Sequence, residues 1–221
     1  MFWQDEGYLL GKNNLDENSI VIDTFTLNHG KFSGVLYGGS SKKQKKFIQV
    51  GNKIMLNWKS KGENKNGYFS AELIKPISPQ YFDDKKKSIC ILSALSILKI
   101  LLPDRQNNKM IYLSFDQMIE KLSENNWIIY YLLWELSLVK DLGYEINYKK
   151  QKSNDLVKNI TNINGKFFQI PDFLAEKKVE NITNNEIKRG LIFNKNLLME
   201  NFIIPNQLDF PFSRNILEKY Y

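Results

Sequence analysis

Nine of the 12 glycines fall within the first third of the chain, at positions 7, 11, 30, 34, 38, 39, 51, 62 and 67. Between them lie short runs of β-branched and aromatic residues, often alternating, at 8–10, 20–25, 32–37, 54–58 and 68–73. Runs of that length separated by glycine turns read as strands. Five strands in about 75 residues suit a small closed barrel better than a sandwich, which needs about seven. The segment Lys75-Pro76-Ile77-Ser78-Pro79 then places two prolines within four residues, which blocks helix and sheet alike. The expected boundary is therefore at 78/79, between domains 1–78 and 79–221.

Beyond it the pattern becomes helical, giving an α+β chain whose second domain is expected to be all-α. Asp83 and Asp84 precede an apolar stretch at 85–102 that Pro103 stops. Ser114-Phe115-Asp116-Gln117 has capping-box spacing and predicts a helix start. Trp127, Tyr131, Trp134, Leu138 and Leu142 follow helical spacing along one face, and Gly143 is placed to end that helix in a left-handed turn. Residues 149–172 are polar and irregular, and no element is assigned to them. Helix returns at about 184–200, with a short terminal helix after Pro211.

Scarcity excludes several chemistries. One cysteine, Cys90, and one histidine, His29, allow neither an internal disulfide nor a zinc site of cysteines and histidines. The apolar runs at 89–102 and 127–139 are too short for a bilayer, and Lys99 and Glu135 interrupt them. The N-terminal MFWQDEG has acids where a signal peptide is basic. A cytoplasmic, nucleoid-associated protein without a membrane partner is the expectation. Cys90 reads as a buried, inert thiol. Glu135 interrupts the most apolar helix and must reach its edge or meet a partner charge.

The 31 Lys+Arg against 24 Asp+Glu leave a net charge of +7, of which residues 1–80 carry 11 Lys minus 7 Asp+Glu, or +4. An excess of this sign favours a polyanionic partner. Its densest point is Lys42-Lys43-Gln44-Lys45-Lys46, directly after Gly38-Gly39. Four lysines in five residues cannot be packed in a core, so they are solvated; a solvated loop and a phosphate-binding segment both fit. Lys31, Lys53, Lys59, Lys61 and Lys65 come from neighbouring strands and loops and would extend a basic track. Tyr37, Phe47, Trp58 and Tyr68 are candidate base stackers, although alternation alone would put each in the core. About five lysines on a single strand correspond to a salt slope near −3.5.

The catalytic alternatives are weaker. His29 sits in a polar turn, and no phosphate-binding loop, nucleophile elbow or zinc-protease helix occurs. Asp5, Glu6, Asp16, Glu17 and Asp23 leave a carboxylate-only magnesium site, and hence a nuclease, as an alternative.

Several segments resemble the RecO family of bacterial recombination mediators. Trp3-Gln4-Asp5-Glu6-Gly7 is similar to the family's opening strand, and Phe25-Thr26-Leu27-Asn28-His29-Gly30 to its Phe-Thr-x-x-His-Gly turn. Gly34-Val35-Leu36-Tyr37-Gly38-Gly39 with the lysine run resembles its glycine-rich basic exit from the third strand. Trp134-Glu135-Leu136 through Asp141-Leu142-Gly143-Tyr144 resembles its central helix, and Ile170-Pro171-Asp172-Phe173-Leu174 its later Leu-Pro-x-Phe-Leu segment. The resemblance spans nearly the whole chain in order.

It implies an N-terminal five-stranded OB-fold barrel and a helical second domain. It also implies binding of single- and double-stranded DNA, annealing of complementary strands, and partnership with RecR, and through it RecF, in loading RecA onto strands covered by single-strand binding protein, SSB. The acidic, hydrophobic tail of SSB would dock on the helical domain, with Lys121, Lys140 or Lys188 as candidate cations. Many family members carry a four-cysteine zinc module after the Leu-Gly-Tyr helix. Here Gln151 stands roughly where its first cysteine would be and none of the four is present between 145 and 221, so no cofactor is expected and packing of Phe167, Phe168 and Ile170 is expected to hold that insert. The sequence therefore points to a non-enzymatic DNA repair mediator whose strand-binding residues are Lys31, Lys42, Lys43, Lys45, Lys46, Lys59, Lys61, Tyr37 and Phe47. An RNA-gripping OB-fold is the other binding alternative.

Overall fold

The computed structural model describes residues 1–60, 67–153 and 156–221, and at residues 43, 148–153 and 156–158 the main chain alone. The chain forms two compact units, Met1–Leu113 and Ser114–Tyr221.

In the first unit, β1 (Phe2–Asn14), β2 (Ser19–Thr26), β3 (Gly30–Tyr37), β4 (Lys53–Lys59) and β5 (Tyr68–Lys75) close into a barrel in the order β1-β2-β3-β5-β4. All neighbours are antiparallel except β3 and β5, which pair in parallel at Val35↔Tyr68 and Leu36↔Phe69. This is the five-stranded Greek-key arrangement of the OB-fold. A one-turn helix, α1 (Lys42–Lys45), joins β3 to β4, capped by Ser41 Oγ, which accepts from the Gln44 amide.

The five runs read from the sequence are all strands. The first reaches further than its apolar centre, beginning at Phe2, so Asp5 and Glu6 lie within a paired strand. Inward alternation builds the barrel core from Trp3, Leu9, Ile22, Phe32, Leu36, Ile54, Leu56, Trp58 and Phe69. Gly34 and Gly67 lie against the Trp58 indole, where a side chain would collide with the ring. After β5, α2 (Lys85–Leu101) starts on Asp84, whose carboxylate accepts from the Lys87 amide. Its buried residues include Cys90, Ile91, Ala94, Leu95 and Leu98.

α3 (Lys109–Glu120) begins five residues before Ser114, so the capping-box spacing there does not mark a helix start. Lys109 N is instead held by Asn107 Oδ1 at 2.9 Å.

In the second unit, α4 (Trp127–Asp141) buries Trp127, Tyr131, Trp134 and Leu138, and Gly143 turns the chain with φ +96°. Residues left irregular in the sequence reading form an antiparallel sheet of β6 (Tyr148–Ser153), β7 (Leu156–Ile163) and β8 (Lys166–Ile170), so the second unit is not all-α. Its hold on the unit is partly polar, which is why periodicity did not reveal it. Asn159 Nδ2 donates to Asp172 Oδ1 at 3.0 Å, Thr161 Oγ1 to Asn147 O at 2.8 Å, and Lys166 pairs with Glu200 at 2.6 Å. Ile163 and Ile170 are buried, but Phe167 is 75% exposed, so it does not contribute the packing expected of it. The remainder is α5 (Asp172–Ala175), α6 (Asn184–Leu198) with a Thr183/Glu186 capping box, a π-helical turn at Met199–Ile203, and α7 (Phe212–Glu218).

Glu135 meets a partner charge, as its position demanded. It is fully buried against Arg214, with Nε to Oε1 at 2.6 Å and Nη2 to Oε2 at 3.1 Å. Tyr131 Oη and Asn194 Nδ2 also donate to its carboxylate, at 2.6 and 3.1 Å. Burial disfavours charge on Arg214, but the Glu135 carboxylate outweighs it and holds the guanidinium pKa above its ordinary range.

Candidate nucleic-acid interface

Alternation along the barrel strands fixes which side chains face outward, and eight lysines on and beside the barrel divide into two groups by the partners they have. Lys31 donates to Lys99 O at 2.9 Å and pairs with Asp104 at 3.2 Å. Lys53 pairs with Glu6 at 3.0 Å and sits against the rings of Tyr8 and Tyr112, each 5.6 Å from its ammonium. Lys12 donates to Ile48 O, and Lys99 pairs with Asp23 at 2.7 Å. Burial works against ionisation of Asp23, yet hydrogen bonds from Lys99 and Ser33 outweigh it and hold the carboxyl below its ordinary value of 3.8.

The second group faces solvent. Lys42, Lys45 and Lys46 on and after α1, and Lys59 at the end of β4, are exposed, and among the described residues no carboxylate pairs with them. The serine cap and the glycine turn at Gly38, with φ +70°, hold the lysine run as a helical turn. The side chain of Lys43, and Lys61 and Lys65 altogether, lie outside the described residues.

The aromatic candidates also separate. Trp58 is 3% exposed in the barrel core, where alternation along β4 places it, and is not available for stacking. Phe47 is half-buried and packs on that core. Tyr37 and Tyr68 are exposed neighbours, with ring centroids 5.7 Å apart. Phe2 was not singled out in the sequence, yet it is exposed beside Lys59. The signal for it was the alternation of outward Phe2, Gln4 and Glu6 with inward Trp3, Asp5 and Gly7.

Asp5, Glu6, Asp16 and Asp23 are separately committed. Asp5 accepts from the amides of Glu6, Asn28 and His29, at 3.0, 2.7 and 3.2 Å, and from Asn28 Nδ2. His29 Nδ1 lies 2.9 Å from Asp5 Oδ2, and its ring stacks on Trp3 at 4.1 Å. Thr26 Oγ1 donates to Gly30 O and accepts from the His29 amide. The Trp3/Asp5 segment and the Phe-Thr-x-x-His-Gly turn thus form one structural unit. Glu6 pairs with Lys53, and Asp16 accepts from the amides of Asn18 and Ser19. Among the described residues no three His, Cys, Asp or Glu side chains gather as metal ligands.

In the helical unit, Lys140 and Lys177 border a cavity of about 630 Å³ with apolar walls of Leu133, Leu136, Ile146, Ile170 and Leu174, while Asp141 and Glu145 also line it. Lys121 pairs with Glu124 at 3.5 Å and lies over the Tyr130 ring, and Lys188 is exposed on α6. Of the three cations considered for partner docking, only Lys140 lines this cavity. Among the described residues no helix is long and apolar enough to cross a membrane.

A barrel of OB topology followed by a helical unit defines a two-part α+β protein of the OB class. Residues 1–77 match the family model described as Recombination protein O N terminal, and residues 83–153 that described as Recombination protein O C terminal. The chain belongs to this family of bacterial DNA repair and recombination proteins. It is 32% identical to the DNA repair protein RecO of Ehrlichia chaffeensis over 75% of this chain and 68% of that one. With the DNA repair protein RecO of Roseobacter denitrificans it shares 29% identity over 66% of this chain, a stretch spanning 61% of that protein's length. The protein of that name from Wolbachia pipientis wMel matches over 87% of this chain and 85% of its own length, at 27% identity.

Proposed function

We propose that this chain is a recombination mediator that binds single- and double-stranded DNA through the barrel and anneals complementary strands without nucleotide hydrolysis. The observation that carries the reading is the set Lys42, Lys45, Lys46 and Lys59, exposed and without a carboxylate partner among the described residues. An ammonium without an internal partner releases counterions when it meets a phosphate, whereas a paired one must first lose its carboxylate. Lysines between two backbones screen their repulsion, and base pairing then supplies the driving force. In this role the protein is a mediator and not an enzyme.

The family resemblance extends the proposal to partners. RecR, and through it RecF, would act with this chain to load RecA onto SSB-covered strands. The acidic, hydrophobic tail of SSB would occupy the cavity bordered by Lys140 and Lys177, whose apolar walls suit the tail's side chains and whose lysines suit its carboxylates. Annealing of complementary strands, each coated with SSB, is the test. Acceleration by this protein without ATP is expected; a rate equal to that of the coated strands alone would overturn the reading.

A further inference from the structure

On the barrel surface four outward residues from four adjacent strands fall into one row. Phe2 of β1 is the register partner of Lys59 of β4, and Lys59 is the partner of Tyr68 of β5. Tyr68 pairs with Val35 of β3, and Tyr37, two residues further along that strand, brings its ring to 5.7 Å from that of Tyr68. Phe2, Tyr68 and Tyr37 are 63%, 43% and 65% exposed. The Lys59 ammonium lies 5.9 Å from the Phe2 ring centre. Adjacent strands lie about 4.8 Å apart, so Phe2 and Tyr68 stand roughly 10 Å from each other with Lys59 between them. The N-terminus is held in place there, since the Met1 ammonium donates to Ser60 O at 2.7 Å.

Aromatic faces exposed on a strand surface with a cation between them match the chemistry of an unpaired nucleic-acid strand: bases stack on rings, and the intervening phosphate meets the ammonium. A duplex offers no base faces, because its bases are stacked on one another and only their edges reach the grooves. We infer that the row Phe2–Lys59–Tyr68–Tyr37 is a stacking site for unpaired bases of single-stranded DNA, and that it gives the barrel its preference for single strands over duplex. The inference rests on the reading of the barrel as a DNA-binding surface and divides that surface by role. Lys42, Lys45 and Lys46 grip phosphates of either form, and the aromatic row selects the unpaired one.

The experiment compares binding of fluorescent oligo(dT) and of a duplex of matched length at fixed salt. The proteins are the wild type, the joint variant Tyr37→Ala, Tyr68→Ala, and the separate variants Phe2→Ala and Tyr68→Phe. Thermal melting confirms that each variant is folded. The joint variant is expected to lose roughly 10- to 100-fold in oligo(dT) affinity, with its salt slope and its duplex affinity unchanged. Phe2→Ala loses less, and Tyr68→Phe binds like the wild type because the ring and not the hydroxyl is used. Equal losses on both ligands, or no loss on oligo(dT), would overturn the stacking site while leaving the lysine grip standing. A wild-type protein that binds neither ligand would overturn the DNA-binding reading itself.

Discussion

Eight cations of this protein fall into two populations that the sequence does not distinguish. Arg214, Lys99, Lys31 and Lys53 each face a carboxylate within the fold, at distances from 2.6 to 3.2 Å. Lys42, Lys45, Lys46 and Lys59 face solvent. A net charge of +7 counts both alike. Of these eight, the second population adds more to the field that a polyanion meets, because a neutralised pair presents a dipole that weakens quickly with distance. The first holds elements together: Lys99 joins α2 to β2 through Asp23, and Arg214 joins α7 to α4 through Glu135.

Replacing Glu135 by alanine should have the largest effect, since it strands a buried guanidinium. Chemical denaturation should show a loss of about 3–5 kcal/mol. Replacing Glu135 by leucine together with Arg214 by methionine should recover much of that loss. A single-variant cost below about 1 kcal/mol would mean that the pair is not held as the fold shows it. The Lys99 side chain is 42% exposed in its pair with Asp23, so Lys99→Met should cost no more than about 1 kcal/mol.

Asp23 adds a pH signature to that pair. Its folded pKa is depressed, so its contribution is complete above the ordinary 3.8 and is lost as the pH falls through the lower folded value. Urea midpoints of the wild type and Asp23→Asn should therefore differ at neutral pH and converge well below pH 3.8. Midpoints that stay equally separated in acid would contradict the pairing. The smallest effect is expected from Lys31→Gln and Lys53→Gln: their DNA affinity and its salt slope should match the wild type. A flattened slope in either would return that lysine to the binding surface.

How much of this was legible depended on whether the signal was local. Glycine punctuation and alternation revealed the five barrel strands, and Asp84, Gly143 and the spacing from Trp127 to Leu138 revealed two helices, because each signal lies within one element. Ser114 misled because Asn107 holds the start of α3 from outside any capping box. The β6–β8 sheet escaped because its hold includes Asn159, Thr161 and Lys166, whose partners are 13, 14 and 34 residues away. The lysine run was visible as composition, but that Lys31 is paired with Asp104, while no carboxylate among the described residues pairs with Lys42, is a tertiary fact. Trp58 and Tyr68 had equal standing in the sequence, and only the closure of the barrel puts one inside and the other outside.

The central claim is that the open lysines, and not the paired ones, meet DNA phosphates. Binding of oligo(dT) measured across a series of salt concentrations tests it most directly, with the wild type beside the joint variant Lys42→Ala, Lys45→Ala, Lys46→Ala. Each lysine that neutralises a phosphate adds about 0.7 to the steepness of log K against log salt on a single strand, so the variant's line should be shallower by about 2. Parallel lines for the two proteins would contradict the account and move the DNA site away from the barrel's lysine turn.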